Sequence, residues 1–253
     1  MTIINTYKPP TFTVLTEPPT GPFDAYFNGP VPEKLESNRV RLEVYNPAIH
    51  AKAYWAQHES HRTDIEKYLP LSWPDYTTFL TWTHNFIIRD PESLLFAIID
   101  RTKPNDGANY EESIAGLIGY LHFSPHNLSV EIGPVIILPR AQKTFVSSNA
   151  IGLLLKHALN LPEEGGLGFR RVSWTANPNN VASVRTAQRM GLTIEGVTRW
   201  SWVLPEGKDG GKSPVDGKRG QGQGRDSTVL SVCWDDWEAG AKEIVQKAMD
   251  RTS

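Results

Sequence analysis

Residues 131–195 constrain this chain more than any other stretch. Residues 131–138 are apolar and β-branched and stop at Pro139, which predicts a buried strand. Val146, Ala150, Leu153, Leu154, His157, Ala158 and Leu161 then recur at helical spacing. Gly165, Gly166 and Gly168 make a turn, and residues 171–176 predict a second strand. Asn180 suits an N-cap and Gly191 a C-cap, so a second helix lies between them. A third strand begins at Leu192. A crossover helix places the first two of these strands parallel. The start of that helix offers unpaired amides and a positive dipole end, a place for a small acidic cofactor.

The flanking sequence supplies the rest of a sheet. Residues 39–45 alternate, with Val40, Leu42 and Val44 on one face. Residues 48–59 and 75–89 predict two helices, separated by a turn over 69–74 because Pro70 and Pro74 break helical pairing. Residues 94–100 and 114–123 predict strands joined by a polar loop over 101–112 that holds Pro104, Asn105, Asp106 and Gly107. With the strand at 131–138 they form an antiparallel meander. Residues 192–204 predict a strand carrying Trp200 and Trp202, residues 228–233 the last strand, and residues 235–249 a terminal helix.

Two segments stand outside this pattern. Residues 1–37 are Pro-rich and carry Phe12, Phe23, Tyr26 and Phe27. They predict an extended arm that lies on the body, because disordered tails are poor in aromatics. Residues 205–225 are rich in Gly and Lys and predict a mobile loop. The expected organisation is an arm over 1–37 and a single domain over 38–253.

Bulk properties narrow the function. The 253 residues carry a net charge of −2, so no overall basic field exists to hold nucleic acid or an anionic membrane. No apolar run is long enough to span a bilayer, and the N-terminus lacks a secretory pattern. Cys233 is the only cysteine, which rules out an internal disulfide. A cytoplasmic protein is expected, with no partner among nucleic acids or membranes and its oligomeric state open.

Within the organising stretch, Glu131-Ile132-Gly133, Arg140, Asn180-Val181-Ala182-Ser183, Met190-Gly191-Leu192 and Glu195-Gly196 follow a recognisable order. This order resembles the core of GNAT-superfamily N-acetyltransferases. The similar branch acetylates ribosomal-protein N-termini and, in relatives, small amines. The resemblance implies an α/β (α+β) fold of GNAT type: a mixed, mostly antiparallel sheet with one parallel pair, flanked by helices. It implies acetyl transfer from acetyl-CoA to a primary amine of a small molecule or peptide, with no metal. It sets acetyl-CoA against Val135, Ile136, Ile137, Leu138, Lys143, Thr144, Phe145, Val146, Ser147, Ser148, Asn180 and Ser183. It also implies that the helical pair in the first half of the chain covers the acceptor side.

The resemblance departs at two positions, where family glycines fall on Lys143 and Phe145. A non-glycine residue still donates its N–H there if its φ is negative and its side chain points outward. Lys143 would add a cation beside phosphate. The rival expectation is a GNAT-like protein that binds an acyl-CoA without turnover.

Asn180, Ser183 and Ala187 fall on one helix face by spacing. By resemblance Asn180 holds the pantetheine arm. Ala187 stands where many relatives carry Tyr, and Ser183 takes the thiolate-side proton role. Glu131 leads as general base, with Glu195, then His122 and a water chain, as alternatives. As plain chemistry, Asn180 is also an ordinary cap and Ser183 an ordinary helix residue. His58-Glu59-Ser60-His61 is one residue short of a zinc helix motif, and Cys233 has no local partner that marks a nucleophile.

Overall fold

The computed structural model describes residues 2–105, 110–214 and 216–251. In chain order they give β1 (Leu35–Glu36), β2 (Val40–Val44), α1 (Pro47–His58), α2 (Arg62–Glu66) and α3 (Tyr76–Thr83). Then come β3 (Leu94–Asp100), β4 (Ile114–Ser124), β5 (Ser129–Ile137), α4 (Phe145–Leu159), β6 (Arg171–Ala176) and α5 (Val181–Arg189). The chain closes with β7 (Thr193–Val203), β8 (Gly224–Cys233), α6 (Trp234–Asp236) and α7 (Lys242–Asp250). The polar connection expected over 101–112 joins β3 to β4, but its Asp106 and Gly107 lie outside the described residues.

All eight strands form one sheet in the order β1-β2-β3-β4-β5-β6-β8-β7. Only β5 and β6 pair in parallel; the other neighbours are antiparallel. This is the mixed sheet with one parallel pair that the sequence predicts.

The strand β3 shows why a sheet forms here. Every residue of Leu94–Asp100 is buried, so both faces of the strand are covered. Leu94, Phe96 and Ile98 join a core with Ala150, Leu154 and Ala158 of α4. Leu95, Ala97 and Ile99 join a second core with Tyr54 and Trp55 of α1 and Phe79 and Leu80 of α3. Period-two alternation thus feeds two helical layers. Leu154 is fully buried, and Leu154→Ala would cost about 3 kcal/mol through lost burial and the cavity left behind.

Four local differences from the sequence expectation have physical causes. The arm holds β1, two residues long, paired with β2 and too short to show a period. The helix expected over 75–89 begins as α3, capped by the Asp75 carboxylate on the Thr78 amide at 2.7 Å, and ends in a wider turn over His84–Ile88. The terminal helix is broken at Gly240, whose φ is 131°. β8 starts at Gly224, four residues before the expected strand, and takes in the last two residues of the stretch expected to be loop. A Cβ on Gly224 would lie 2.0 Å from the Trp200 ring, so the residue is small because Trp200 packs on it.

Candidate active site

The strands β5 and β6 pair at Ser129 with Arg171, Val130 with Val172, and Glu131 with Ser173. No pair follows among the described residues. On its other side β6 stays paired with β8 to Ala176. β5 runs on to Ile137, held by β4 through an irregular register between Ile132 and Val135. The two parallel strands therefore part after Glu131. Val135, Ile136 and Ile137 flank the gap on the β5 side. Ile136 and Leu138 bury their side chains in the second core, and Val135 and Ile137 pack on the first. Leu138 donates its N–H to Ala115 O at 2.9 Å.

The start of α4 follows a short turn over Pro139–Ala141. Thr144 caps it: its Oγ1 accepts from Val146 N at 3.2 Å and donates to Ala141 O at 2.7 Å. Ser148 donates to Phe145 O at 3.1 Å. Val146 is buried, so its side chain serves the core. The amides of Phe145 and Ser147 remain without intrahelical acceptors, as at any helix start.

The two glycine substitutions behave differently. Lys143 has φ 59°, so the negative φ expected of a non-glycine residue here is not met. The backbone keeps the left-handed geometry that suits glycine, and a lysine carries it at a steric cost. The Phe145 ring turns onto the first core, with the Arg39 guanidinium 4.5 Å from its centroid. Arg140 donates to Glu111 O at 2.9 Å and Ile114 O at 2.5 Å, so its guanidinium braces the β3–β4 connection.

The helix α5 projects from the end of β6. The Asn180 side chain accepts from Ser183 N at 3.1 Å and so caps the helix. That bond uses Oδ1 and leaves the Nδ2 donor for another partner. Ser183 Oγ accepts from the Trp174 indole N–H at 3.1 Å. Because the hydroxyl is an acceptor in that bond, its own proton points elsewhere. Ala187 is fully buried in the first core. Met190 ends the helix and Gly191 follows at φ 86°, the left-handed position that closes a helix.

One face of the second half of the sheet is polar. Glu131, Ser173, Thr175 and Ser231 alternate with residues that enter the first core, and Arg225, Ser227 and Val229 continue their face along β8. Glu131 Oε1 accepts from Thr175 Oγ1 at 2.6 Å. Glu131 is half-buried and sits where the strands part. Glu195, the alternative base, is held by Arg171 at 2.7 and 2.5 Å and by Ser231 Oγ at 2.8 Å. The Arg171 hydrogen bond, then Ser231, holds its carboxyl down to about 2. A carboxylate so stabilised is a poor proton acceptor, and Arg171 lies at the paired end of β6. His122 is exposed.

Sequence reasoning missed Thr175 and Arg225. For Thr175 the signal was present as alternation in Ser173-Trp174-Thr175-Ala176. For Arg225 the Gly-rich run before it masks the strand.

The other wall comes from the helices. His58 and Glu66 are buried and bonded at 2.9 Å, with Tyr54 OH 3.0 Å from the other ring nitrogen. The Glu66 carboxylate also accepts from Trp73 N at 3.2 Å. His58 is thus part of a structural network. Lys208, in the 205–225 segment, crosses to this wall and donates to Glu66 O at 2.7 Å and Leu71 O at 2.6 Å. Among the described residues, one cluster of three potential metal-ligating residues occurs, Cys233, Asp235 and Asp236. It lies at the opposite end of β8, and Asp236 already accepts from Cys233 N at 3.1 Å.

No helix among the described residues is long and apolar enough to cross a membrane. Residues 39–193 match the acetyltransferase (GNAT) domain family. No curated protein matches the chain. A GCN5-related N-acetyltransferase from Brucella melitensis aligns with a TM-score of 0.68 at 24% identity, covering 86% of each chain. A probable GNAT-family acetyltransferase from Chromobacterium violaceum aligns with a TM-score of 0.66 at 25% identity, over 91% of this chain and all of that one. RimJ from Mycobacterium smegmatis, solved with CoA-disulfide, gives a TM-score of 0.59 at 15% identity over 83% of this chain and 88% of that one.

Proposed function

The chain belongs to the GNAT acetyltransferase family, and from that premise we propose that it transfers an acetyl group from acetyl-CoA to a primary amine of a small molecule or peptide. The observation that carries this is the parting of β5 and β6 after Glu131, with α5 and its Asn180 and Ser183 following the end of β6. Solved relatives hold CoA, as the RimJ complex does.

The residues present fit such a cosubstrate. The unpaired backbone of β5 beyond Glu131 offers amide partners to an extended arm of alternating donors and acceptors. The Asn180 Nδ2 donor adds one more. The amides of Phe145 and Ser147 and the Lys143 ammonium suit the pyrophosphate at the start of α4. Thr144 and Ser148 hold that helix start in shape.

Acetyl-CoA supplies the acetyl thioester; the acceptor nitrogen forms the new C–N bond and the C–S bond breaks. Glu131 takes the proton that the nitrogen loses, directly or through one water. Thr175 fixes its carboxylate by the 2.6 Å bond. Ser183 gives a proton to the leaving sulfur, whose conjugate acid has a pKa of roughly 8.5, and regains one from solvent. The Trp174 N–H fixes the direction in which that hydroxyl donates.

The test is a melting scan with acetyl-CoA followed by an amine panel read by thiol release. Acetyl-CoA is expected to raise the melting temperature, and free adenosine much less, because it lacks the pyrophosphate. No shift at millimolar acetyl-CoA overturns the cofactor assignment. A shift without thiol release from any amine selects the binding-only reading, which the lysine at φ 59° favours.

Ser183→Ala is expected to leave acetyl-CoA affinity intact and lower kcat by roughly ten- to a thousand-fold, since water partly replaces one proton donor. For Asn180 the informative variant is Asn180→Asp, which keeps the capping oxygen and removes the amide donor. It should weaken acetyl-CoA without unfolding α5. Equal affinity in calorimetry would take Asn180 out of the cosubstrate site.

A further inference from the structure

Arg225 is the second residue of β8, opposite Trp202 and beyond the last β6 pair at Thr228. The residue is only 6% exposed. Its Nε is shielded from solvent and has no acceptor. Among the described residues the guanidinium makes no ion pair and donates no hydrogen bond. Buried guanidinium groups are normally paired, because their five donors bring a large desolvation cost.

The surroundings explain neither the burial nor the lack of a partner. Glu131 attracts Arg225 electrostatically without reaching it, and its Oε1 accepts from Thr175. Lys208 is close enough for the two cations to repel. Lys208 is satisfied by neutral carbonyls, and the nearby Glu66 carboxylate is turned to His58 and Trp73. On its own strand, Asp226 pairs with Lys212. What is missing beside Arg225 is an anion.

We propose that Arg225 is a specificity residue that binds a carboxylate of the acceptor, so that the acceptor is an amino acid or amino-acid-like molecule. A planar fork of donors suits a carboxylate, which it holds by two parallel bonds. Glu131 would face the amine end of the same molecule while Arg225 faces the acid end. Trp202 pairs directly opposite Arg225 and so places an aromatic residue on the same face of the sheet. The inference rests on the transferase reading above and names its acceptor class.

The test compares matched pairs: methionine with methioninamide and phenylalanine with phenylalaninamide, for the wild type, Arg225→Gln and Arg225→Lys. The free acids should show a KM roughly tenfold lower in the wild type, the worth of one good charge-assisted pair. Arg225→Gln should erase that difference, and Arg225→Lys should keep part of it. Equal use of acid and amide by the wild type overturns the inference and leaves the transferase reading standing. Succinyl-CoA against acetyl-CoA is the control for the other source of a carboxylate. If Arg225→Gln changes only that donor preference, the anion belongs to the acyl group and the acceptor assignment is wrong. If no amine is acetylated, the transferase reading fails and a binding measurement decides. N-acetylmethionine should raise the wild-type melting temperature, its methyl ester should not, and Arg225→Gln should abolish the shift. Equal shifts, or none, overturn the carboxylate site. Should Arg225→Gln not fold, Arg225→Lys carries the same comparison.

Discussion

Lys143 holds a backbone geometry that glycine adopts without cost, and its amide lies at the start of α4. Lys143→Gly is expected to stabilise the fold by about 0.5 kcal/mol, the left-handed strain relieved less the entropy of a glycine in the unfolded chain. The same variant should weaken acetyl-CoA if the ammonium meets phosphate. Stability and affinity would then move in opposite directions. Parallel loss of both would assign the lysine a structural role. His157 offers a pH prediction. Burial lowers its pKa to about 4. The Tyr120 hydroxyl donates to Leu154 O at 2.7 Å and lies 3.1 Å from His157 Nδ1, so Nδ1–H is the donor there. The folded state therefore keeps the ring neutral where the unfolded state protonates it. Stability is complete above the unfolded value near 6.5 and falls as pH drops towards about 4. The loss is about 3 kcal/mol. Denaturant titrations at several pH values should show this slope, and His157→Phe should flatten it. Asn180 and Ser183 were legible in the sequence because their spacing and neighbours form a pattern. Arg225 was not, because its meaning lies in the lack of a partner, which only packing shows.

The elements were legible where burial enforces a period. Leu94–Asp100 and Arg171–Ala176 match their expected limits, and α4 follows its apolar positions through Ala158, with Leu161 exposed beyond its end. They were illegible where glycine interrupts the period. The 205–225 segment contains seven glycines and suggests a free loop. Its ends are nonetheless tied down: Lys208 binds two carbonyls of the helical wall, Gly211 N donates to Gln223 Oε1 at 2.7 Å, and Lys212 pairs with Asp226. Only its middle is open, with Lys218 and Arg219 exposed. We propose that mobility is confined there. Trypsin should cut after Lys218 or Arg219 before it cuts after Lys208, and the two fragments should stay associated. First cuts at Lys208, or in the helices, would refute this. The parting of β5 from β6 was also hidden, since side-chain pattern specifies a strand's faces but not how far its edge stays paired.

The molecule as a whole is a sheet with two unlike halves. Helices cover both faces of the β2–β4 region, whereas β6 sets Val172, Trp174 and Ala176 in the first core and carries Ser173 and Thr175 on its other face. The proposed site lies along the join. The arm fastens the first half. Thr13 and Asn85 exchange bonds of 2.9 and 2.7 Å, Leu15 N donates to Thr81 Oγ1 at 3.0 Å, and the Phe27 ring lies 4.5 Å from that of Phe123. We treat the arm as part of the folding unit. Removing residues 1–30 should destabilise the protein by about 2 kcal/mol, the worth of one large apolar side chain taken out of the core. An unchanged melting temperature would show that the arm is dispensable.

Three residue pairs join β5 to β6. A seam that short acts as a flexure, because few backbone bonds resist a change of angle between the two halves along it. The amides of β5 beyond Glu131 on that side face no strand, so they should exchange with deuterium faster than those held by β4. A guest with amides of its own would extend the seam in the manner of an added strand, and the flexure would stiffen. Hydrogen exchange with and without acetyl-CoA should therefore show protection at Val135 and Ile137 and also across Arg171–Ala176, on the far lip. In that case the protein gains rigidity in the act of loading, and the substrate carrier supplies part of the fold.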